Sequence, residues 1–260
     1  MLAAGVRILL LLLWSRACAS AAARAAPAPV PAVPNLLPSP LCCGRPSAPP
    51  DIGRAQANAE VLTFPDEVND AGCPNCELLP DWDTLQTLPW ASDATRTVQR
   101  VYCSQGAVGG GVNQATPREV CKRMLEELRS FEGRGLELMA ASELEFQVLK
   151  RDDAGALAPV FQGVDIFATL QNNKCAELMY AIEANCEPVG VDILTMNAEY
   201  GAGQLEITMA PAKGIASCDN AATYRTCVKE LAQQRGLLAT FFSYPMGAEG
   251  VGNGGHFNFS

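Results

Sequence analysis

Leu136-Glu-Leu-Met-Ala-Ala-Ser-Glu-Leu-Glu-Phe-Gln-Val-Leu149 carries the glutamate pair Glu143 and Glu145, spaced two apart, with apolar residues that alternate with them. Successive side chains on a β-strand point to opposite faces, so residues two apart project together, roughly 6–7 Å from each other. Leu144, Phe146 and Val148 would then form an apolar face, and Glu143, Glu145 and Gln147 the other. Like charges held this close repel and raise each other's pKa unless a cation or solvent screens them. A divalent metal is one remedy, because hard cations gather several carboxylate oxygens. A solvated outer sheet face is the other.

Two further stretches favour the cation. Glu199-Tyr-Gly-Ala-Gly-Gln-Leu-Glu206 places two more glutamates around a glycine-containing turn, the second entering a strand-like run from Leu205 to Met209. The chain's single histidine, His256, lies in Gly247-Ala-Glu-Gly-Val-Gly-Asn-Gly-Gly-His-Phe-Asn-Phe-Ser260. Four glutamates and one imidazole make an oxygen-rich set able to hold two cations, and the imidazole is available as a neutral ligand near pH 7. Gly252 and Gly254 lack a Cβ and let the backbone approach a ligand closely. The alternative for that segment is a surface loop, and for Gln204 a hydrogen bond within its turn.

Between these stretches the periodicity changes. Thr116-Pro-Arg-Glu119 reads as an N-cap, a proline at the first helical position and a glutamate placed for a capping box. Val120, Met124, Leu128 and Phe131 follow at helical spacing, with Gly133 and Gly135 as the stop. A second helix is expected over Ala168 to Ala184, buried through Leu178, Met179 and Ile182. A third is expected from Asp219 as cap through Gln233, buried by Tyr224, Val228, Leu231 and Ala232 and ended at Gly236. Strands near Ile207 and over Leu237 to Phe242 complete a mixed sheet. Upstream, Glu77 to Asp93 and Thr97 to Tyr102 read as short strands, and Gly106 to Gly111 as a flexible loop.

The first part of the chain differs in composition. Arg7 precedes the apolar run Ile8 to Trp14, and Ala17-Cys-Ala19 offers small residues of the cleavage type. Together they read as a secretory signal, or, given Arg7, Arg16, Arg24 and Arg45 with no acid before Asp51, as an organelle transit peptide. The alanine- and proline-rich stretch that follows favours an extended linker. The domains expected are a signal- or transit-like segment over 1–25, a linker over 26–60, a sheet-rich unit over 61–115 and a larger α+β unit over 116–260. A net charge of −9 excludes a general nucleic-acid surface, which needs clustered Lys and Arg. The 11 cysteines are scattered, and the lone Cys73-Pro-Asn-Cys76 lacks the second ligand pair of a closed zinc site. It reads as a turn with two thiols.

Taken in order, these segments resemble the glutamine synthetase family, the ATP-dependent glutamate–ammonia ligases and their relatives. The likeness runs from about Cys76 to Ser260 and rests on Leu79-Pro-Asp-Trp-Asp-Thr-Leu-Gln-Thr-Leu-Pro-Trp90, Ser142-Glu-Leu-Glu-Phe146, Asn197-Ala-Glu-Tyr-Gly-Ala-Gly-Gln-Leu-Glu206, Ala216-Ser-Cys-Asp-Asn220 and Gly252-Asn-Gly-Gly-His256. It implies an α+β fold, with a partial β-grasp segment over 61–115 followed by the first half of a glutamine synthetase-type catalytic domain, a curved mixed sheet with flanking helices. The reaction implied is phosphoryl transfer from ATP to the γ-carboxylate of glutamate, then attack by ammonia or an amine on γ-glutamyl phosphate. Magnesium or manganese would be the cofactor. By position in the family motifs, Glu145, Glu199 and Glu206 match ligands of the cation nearer glutamate and ammonia, and Glu143 and His256 those of the cation bridging the nucleotide phosphates. Gly252, Gly254 and Gln204 match the amino-acid pocket, and Asn258 and Ser260 the nucleotide contacts.

The resemblance also implies a homo-oligomer and a cytoplasmic location, the latter in conflict with the signal-like N-terminus. Two departures stand out. Active members often have a second histidine where this chain has Asn258, and a lysine where Ser243-Tyr244 stand. Family members continue well past the position of Ser260, so the chain as given is expected to be incomplete and weakly active or inactive. A non-catalytic, lengsin-like structural or binding protein is the alternative within the family. Outside it, the alternative is a secreted acidic protein with disulfides.

Overall fold

The computed structural model describes residues 76–163, 166–247 and 250–260, residues 70 and 71, and the backbone of 6–10 and 21–23. The proposed linker, the expected start of organised structure near Val61, and Cys73 lie outside the described residues. The chain divides into two compact units, Met1–Glu127 and Leu128–Ser260. Strands and helices are mixed in an α+β arrangement, and no described helix is long and apolar enough to cross a membrane.

In the first unit, strands β1 (Val6–Leu10), β2 (Ala21–Ala23), β3 (Leu78–Thr87) and β4 (Thr97–Gln105) form a sheet in the order β2-β1-β4-β3. The β3–β4 ribbon is antiparallel, and its register shifts between Asp81 and Gln86. Leu88, Trp90, Val101 and Tyr102 are buried there. The glycine-rich segment after β4 is closed rather than loose: Gly106 bridges Val112, and the Ala107 N–H donates to the Gly111 carbonyl at 2.9 Å. Gly109, Gly110 and Gly111 all have positive φ, which is why that turn is written in glycine.

Helix α1 (Pro117–Ser130) starts at the expected proline, but its first turn is held differently. The Thr116 hydroxyl donates back to the Asn113 carbonyl at 3.0 Å, and the Glu119 carboxylate accepts from the Ser104 hydroxyl and pairs with Lys122. Glu119 therefore serves the helix–ribbon contact instead of a capping box. Asp81 on β3 reinforces that contact through Arg118 at 3.2 Å and Lys122 at 3.3 Å.

The second unit is built on β5 (Met139–Arg151), the acidic strand. It pairs on one flank with β6 (Leu157–Pro159), β8 (Gln204–Met209) and β9 (Ala212–Lys213), and on the other with β10 (Leu238–Thr240) and β11 (Gly255–Phe259), all antiparallel. Strand β7 (Ile193–Ala198) continues the sheet beyond β8. Alternation holds along β5: Phe146 and Val148 are fully buried with Leu205 and Ile207 of β8, beneath helix α4 (Ile215–Gln234). The Phe146 ring lies 6.5 Å from that of Tyr224 and 5.3 Å from that of Phe241.

The expected second helix is two, α2 (Thr169–Lys174) and α3 (Ala176–Cys186), broken at Cys175, whose φ of −119° is non-helical. Leu178, Met179 and Ile182 are buried as their spacing requires. Helix α4 begins a turn before Asp219, which sits inside it, and carries Tyr224, Val228, Leu231 and Ala232 into the core. At its end the Leu237 N–H donates to the Ala232 carbonyl and the Gly236 N–H to that of Gln233, with Gly236 at φ +68°: the left-handed stop read from the sequence.

Candidate metal centre

The polar face of the β5 sheet is assembled by register. Glu143 lies opposite His256 of β11 on one flank and Thr208 on the other; Glu145 lies opposite Glu206; Gln147 lies opposite Gln204. Asn197 of β7 lies opposite Glu206. Because each pair shares a face, four strands contribute side chains to one surface.

Glu143, Glu206 and His256 each offer one ligand atom, and these atoms all lie within 4.8 Å of one another. A cation touching its ligands at about 2.1–2.5 Å spans opposite ligands roughly 4–5 Å apart, so the three donors fit a single divalent ion. Two carboxylate oxygens and a ring nitrogen suit magnesium or manganese in charge and hardness. The His256 Nδ1 stands 3.2 Å from one Glu143 oxygen, and the Asn258 amide donates to the other at 2.8 Å.

Glu145 and Glu199 stand beside this trio and are held by amides. Glu145 Oε2 accepts from Gln204 Nε2 at 2.7 Å and from the Gly254 N–H at 2.8 Å. Asn197 Nδ2 donates to Glu199 at 3.0 Å and reaches Glu206 at 3.5 Å, linking those two carboxylates. Glu199 is buried, and its carboxyl is held above the ordinary carboxylate range, first by burial and then by the charges of Glu206 and Glu145. A buried acid facing two others is the electrostatic condition that a cation relieves.

Gly252 and Gly254 are both closely packed, Gly252 the more tightly. A Cβ at Gly252 would meet the Tyr244 ring at 2.8 Å, and one at Gly254 would meet a Glu145 oxygen at 3.0 Å. Gln204, expected in the amino-acid pocket, is 1% exposed, and its amide is bonded within the protein on both sides. Ser260 exchanges backbone hydrogen bonds with Met139, extending the pairing of β11 with β5.

Two residues of this face were not singled out from the sequence, and a third, Gln147, was placed on the face but given no role; it is buried beside Gly201. Asn197 follows from the pairing of β7 with β8. Asn253, whose Nδ2 donates to the Thr240 and Phe242 carbonyls, sits between the two glycines already chosen. No disulfide joins the described cysteines.

Residues 114–260 match the family model described as glutamine synthetase, catalytic domain. A glutamate–isopropylamine ligase of a Pseudomonas species is 27% identical over 198 residues, covering 74% of this chain and 41% of that protein. Lengsin of Homo sapiens is 31% identical over 193 residues, covering 70% and 35%. Glutamine synthetase of Methanococcus maripaludis is 31% identical over 176 residues, covering 67% and 39%. Among solved structures, a novel glutamine synthase homolog has a TM-score of 0.68 at 20% identity over 98% of this chain and 55% of its own. Ligand-free GmaS has a TM-score of 0.62 at 23% identity over 72% and 42%. The chain thus spans less than half the length of these curated relatives. With the catalytic-domain match covering more than half of its 260 residues, the chain belongs to the glutamine synthetase family.

Proposed function

We propose that this chain supplies the cation-binding face of a glutamine synthetase-type ligase, one that joins ammonia or an amine to the γ-carboxylate of glutamate with ATP, through γ-glutamyl phosphate. The observation that carries the reading is the approach of Glu143, Glu206 and His256 within 4.8 Å, with Glu145 and Glu199 beside them. In this reading Glu143 and His256 hold the ion on the nucleotide side, Glu145 and Glu199 the ion on the glutamate side, and Glu206 stands between the two sets. Bound magnesium or manganese would supply charge neutralisation where an anionic carboxylate meets an anionic phosphate. The chain's own groups keep the ligands in place: Asn197 orients Glu199 and Glu206, and the Gly254 N–H fixes one oxygen of Glu145. The backbone of Gly252 and Gly254 borders the glutamate side, and Asn258 and Ser260 the nucleotide side. A cytoplasmic homo-oligomer accompanies this reading.

The second reading, a non-catalytic lengsin-like binding protein, draws on the similarity to lengsin and on Asn258, whose amide donates to one oxygen of Glu143. Calorimetric titration with manganese separates the two. Tight binding by the unsubstituted protein is expected to fall at least tenfold in Glu206→Gln and in Glu143→Gln, as loss of a charged ligand typically costs on the order of 1.4 kcal/mol or more. Unchanged binding in both variants would sink the site. Release of ADP in the presence of ATP, glutamate and an amine would exclude the second reading.

A further inference from the structure

We infer that Gln204 is a positioning residue that ties the Gly252–Gly254 backbone to the Glu145 carboxylate, and not a substrate contact. Its side-chain carbonyl accepts from the Gly201 N–H at 2.7 Å, which fixes which end of the amide is oxygen. The opposite end, with two hydrogens, faces three acceptors: Glu145 Oε2 at 2.7 Å, the Gly252 carbonyl at 2.9 Å and Asn253 Oδ1 at 3.1 Å. Asn253 cannot turn its own NH2 toward Gln204, because that group already donates to the carbonyls of Thr240 and Phe242. The two amides are therefore locked head to tail. With 1% of its surface exposed, Gln204 has no free polar atom to offer a ligand.

The consequence is a preformed corner. Glu145 Oε2 is saturated by Gln204 and by the Gly254 N–H, and the Glu145 N–H donates back to the Gly254 carbonyl at 3.2 Å. One oxygen of Glu145 is thus spent on structure, leaving Oε1 as the oxygen presented to the polar face. Packing at this corner is close: a Cβ at Gly201 would come within 2.7 Å of the Gln204 carbonyl oxygen, and one at Gly254 within 3.0 Å of Glu145 Oε1. Gln204 Nε2 is a buried side-chain donor that reaches both the strand-borne carboxylate and the Gly252 carbonyl, so its removal leaves Glu145 Oε2 with the Gly254 N–H as its remaining hydrogen-bond donor and weakens the hold on both.

The geometric claim stands apart from the ligase reading; only its expected effect on manganese affinity rests on that reading. The test is hydrogen exchange followed by NMR on the full chain without metal, comparing the unsubstituted protein with Gln204→Met, which keeps the volume and removes the donors. The Gly254 amide is expected to exchange about tenfold faster or more in the variant, the loss of a bond to a charged group, while the amides of Phe146 and Leu205 keep their protection. Equal Gly254 exchange in both proteins, or faster exchange at all three amides, would overturn the inference. Should the variant fail to fold, the Gln204 Nε2 protons of the unsubstituted protein serve instead: slow exchange is expected, and exchange at the rate of a solvated amide would refute it. Manganese affinity then falls with Gln204→Met if both readings hold. If manganese does not bind the unsubstituted protein, the ligase reading fails while the exchange result still decides the role of Gln204.

Discussion

Glycines at positive φ show how single residues carry different burdens here. Gly203 and Gly236 both lie in the left-handed region, at +66° and +68°. A Cβ at Gly236 meets nothing within 4 Å, whereas one at Gly203 would sit 2.6 Å from the Val148 carbonyl, on the strand that carries the glutamates. Gly236→Ala should therefore cost about 1 kcal/mol from backbone conformation alone. Gly203→Ala should cost roughly 2–4 kcal/mol, because backbone strain and overpacking add. Urea unfolding of the two variants measures the difference, and equal losses would mean the turn moves freely away from β5. Thiols separate in the same way. Burial pushes Cys103 and Cys175 up to about 11, while Cys218 is exposed. At pH 8 a thiol of that pKa is ionised in only about one molecule in a thousand, so iodoacetamide should label Cys218 well before Cys103 and Cys175 and leave those two nearly untouched, as peptide mass mapping would show. The sequence displayed the glutamates, the histidine and the glycines, but not which amide holds which carboxylate. Gln204 stood out only as a pocket candidate and Asn253 not at all, and their partners appear only when the segments meet.

Elements were legible where alternation or helical spacing was strong. Strand β5 follows from Glu143 to Val148 alone, and the end of α4 from Gly236. The break at Cys175 was not legible, because no glycine or proline marks it between the two helical runs. Helix α1 shows the opposite limit: its spacing located the helix, yet Val120 and Met124 are 36% and 50% exposed. What fixes the start of α1 is polar. Burial alone would raise the Asp81 carboxyl, but Arg118 and Lys122 outweigh it and hold the group below its ordinary value. A carboxyl depressed on folding adds stability that is fully present above the unfolded value of about 3.9 and is lost as pH falls through the lower folded value. Asp81→Asn should thus cost about 1 kcal/mol at pH 7, as expected for a partly exposed paired carboxylate. The gap to the unsubstituted protein should close as pH drops from about 4 toward 2. A gap that persists at the acid end would assign the effect of Asp81 to packing.

Across the whole chain the balance of charge ties fold to function. Its net charge is −9, and the second unit gathers Glu143, Glu145, Glu199 and Glu206 on one sheet face, with Glu199 buried. Register explains why this surface was partly readable: β5 announced itself, β8 sets Glu206 and Gln204 opposite Glu145 and Gln147, and β11 sets His256 opposite Glu143. The order of strands was not readable, since short strands such as β9 and β10 take their places from pairing with β5 rather than from their own composition. A face so built is under repulsion that monovalent salt relieves poorly for buried groups, because screening acts over about 8 Å of solvent. A bound divalent ion relieves it directly, and at about a hundred times its dissociation constant stabilises the folded chain by about 2.7 kcal/mol. Manganese at that level should raise the melting temperature by about 5–10 °C, and sodium chloride of equal ionic strength by much less. Glu206→Gln should act in opposite directions in the two conditions: without metal it removes a charge facing Glu199 and leaves the melting temperature equal or higher, while with manganese the rise disappears. If the substitution instead lowers the metal-free melting temperature and leaves the manganese shift intact, Glu206 is a structural group and the cation is held elsewhere.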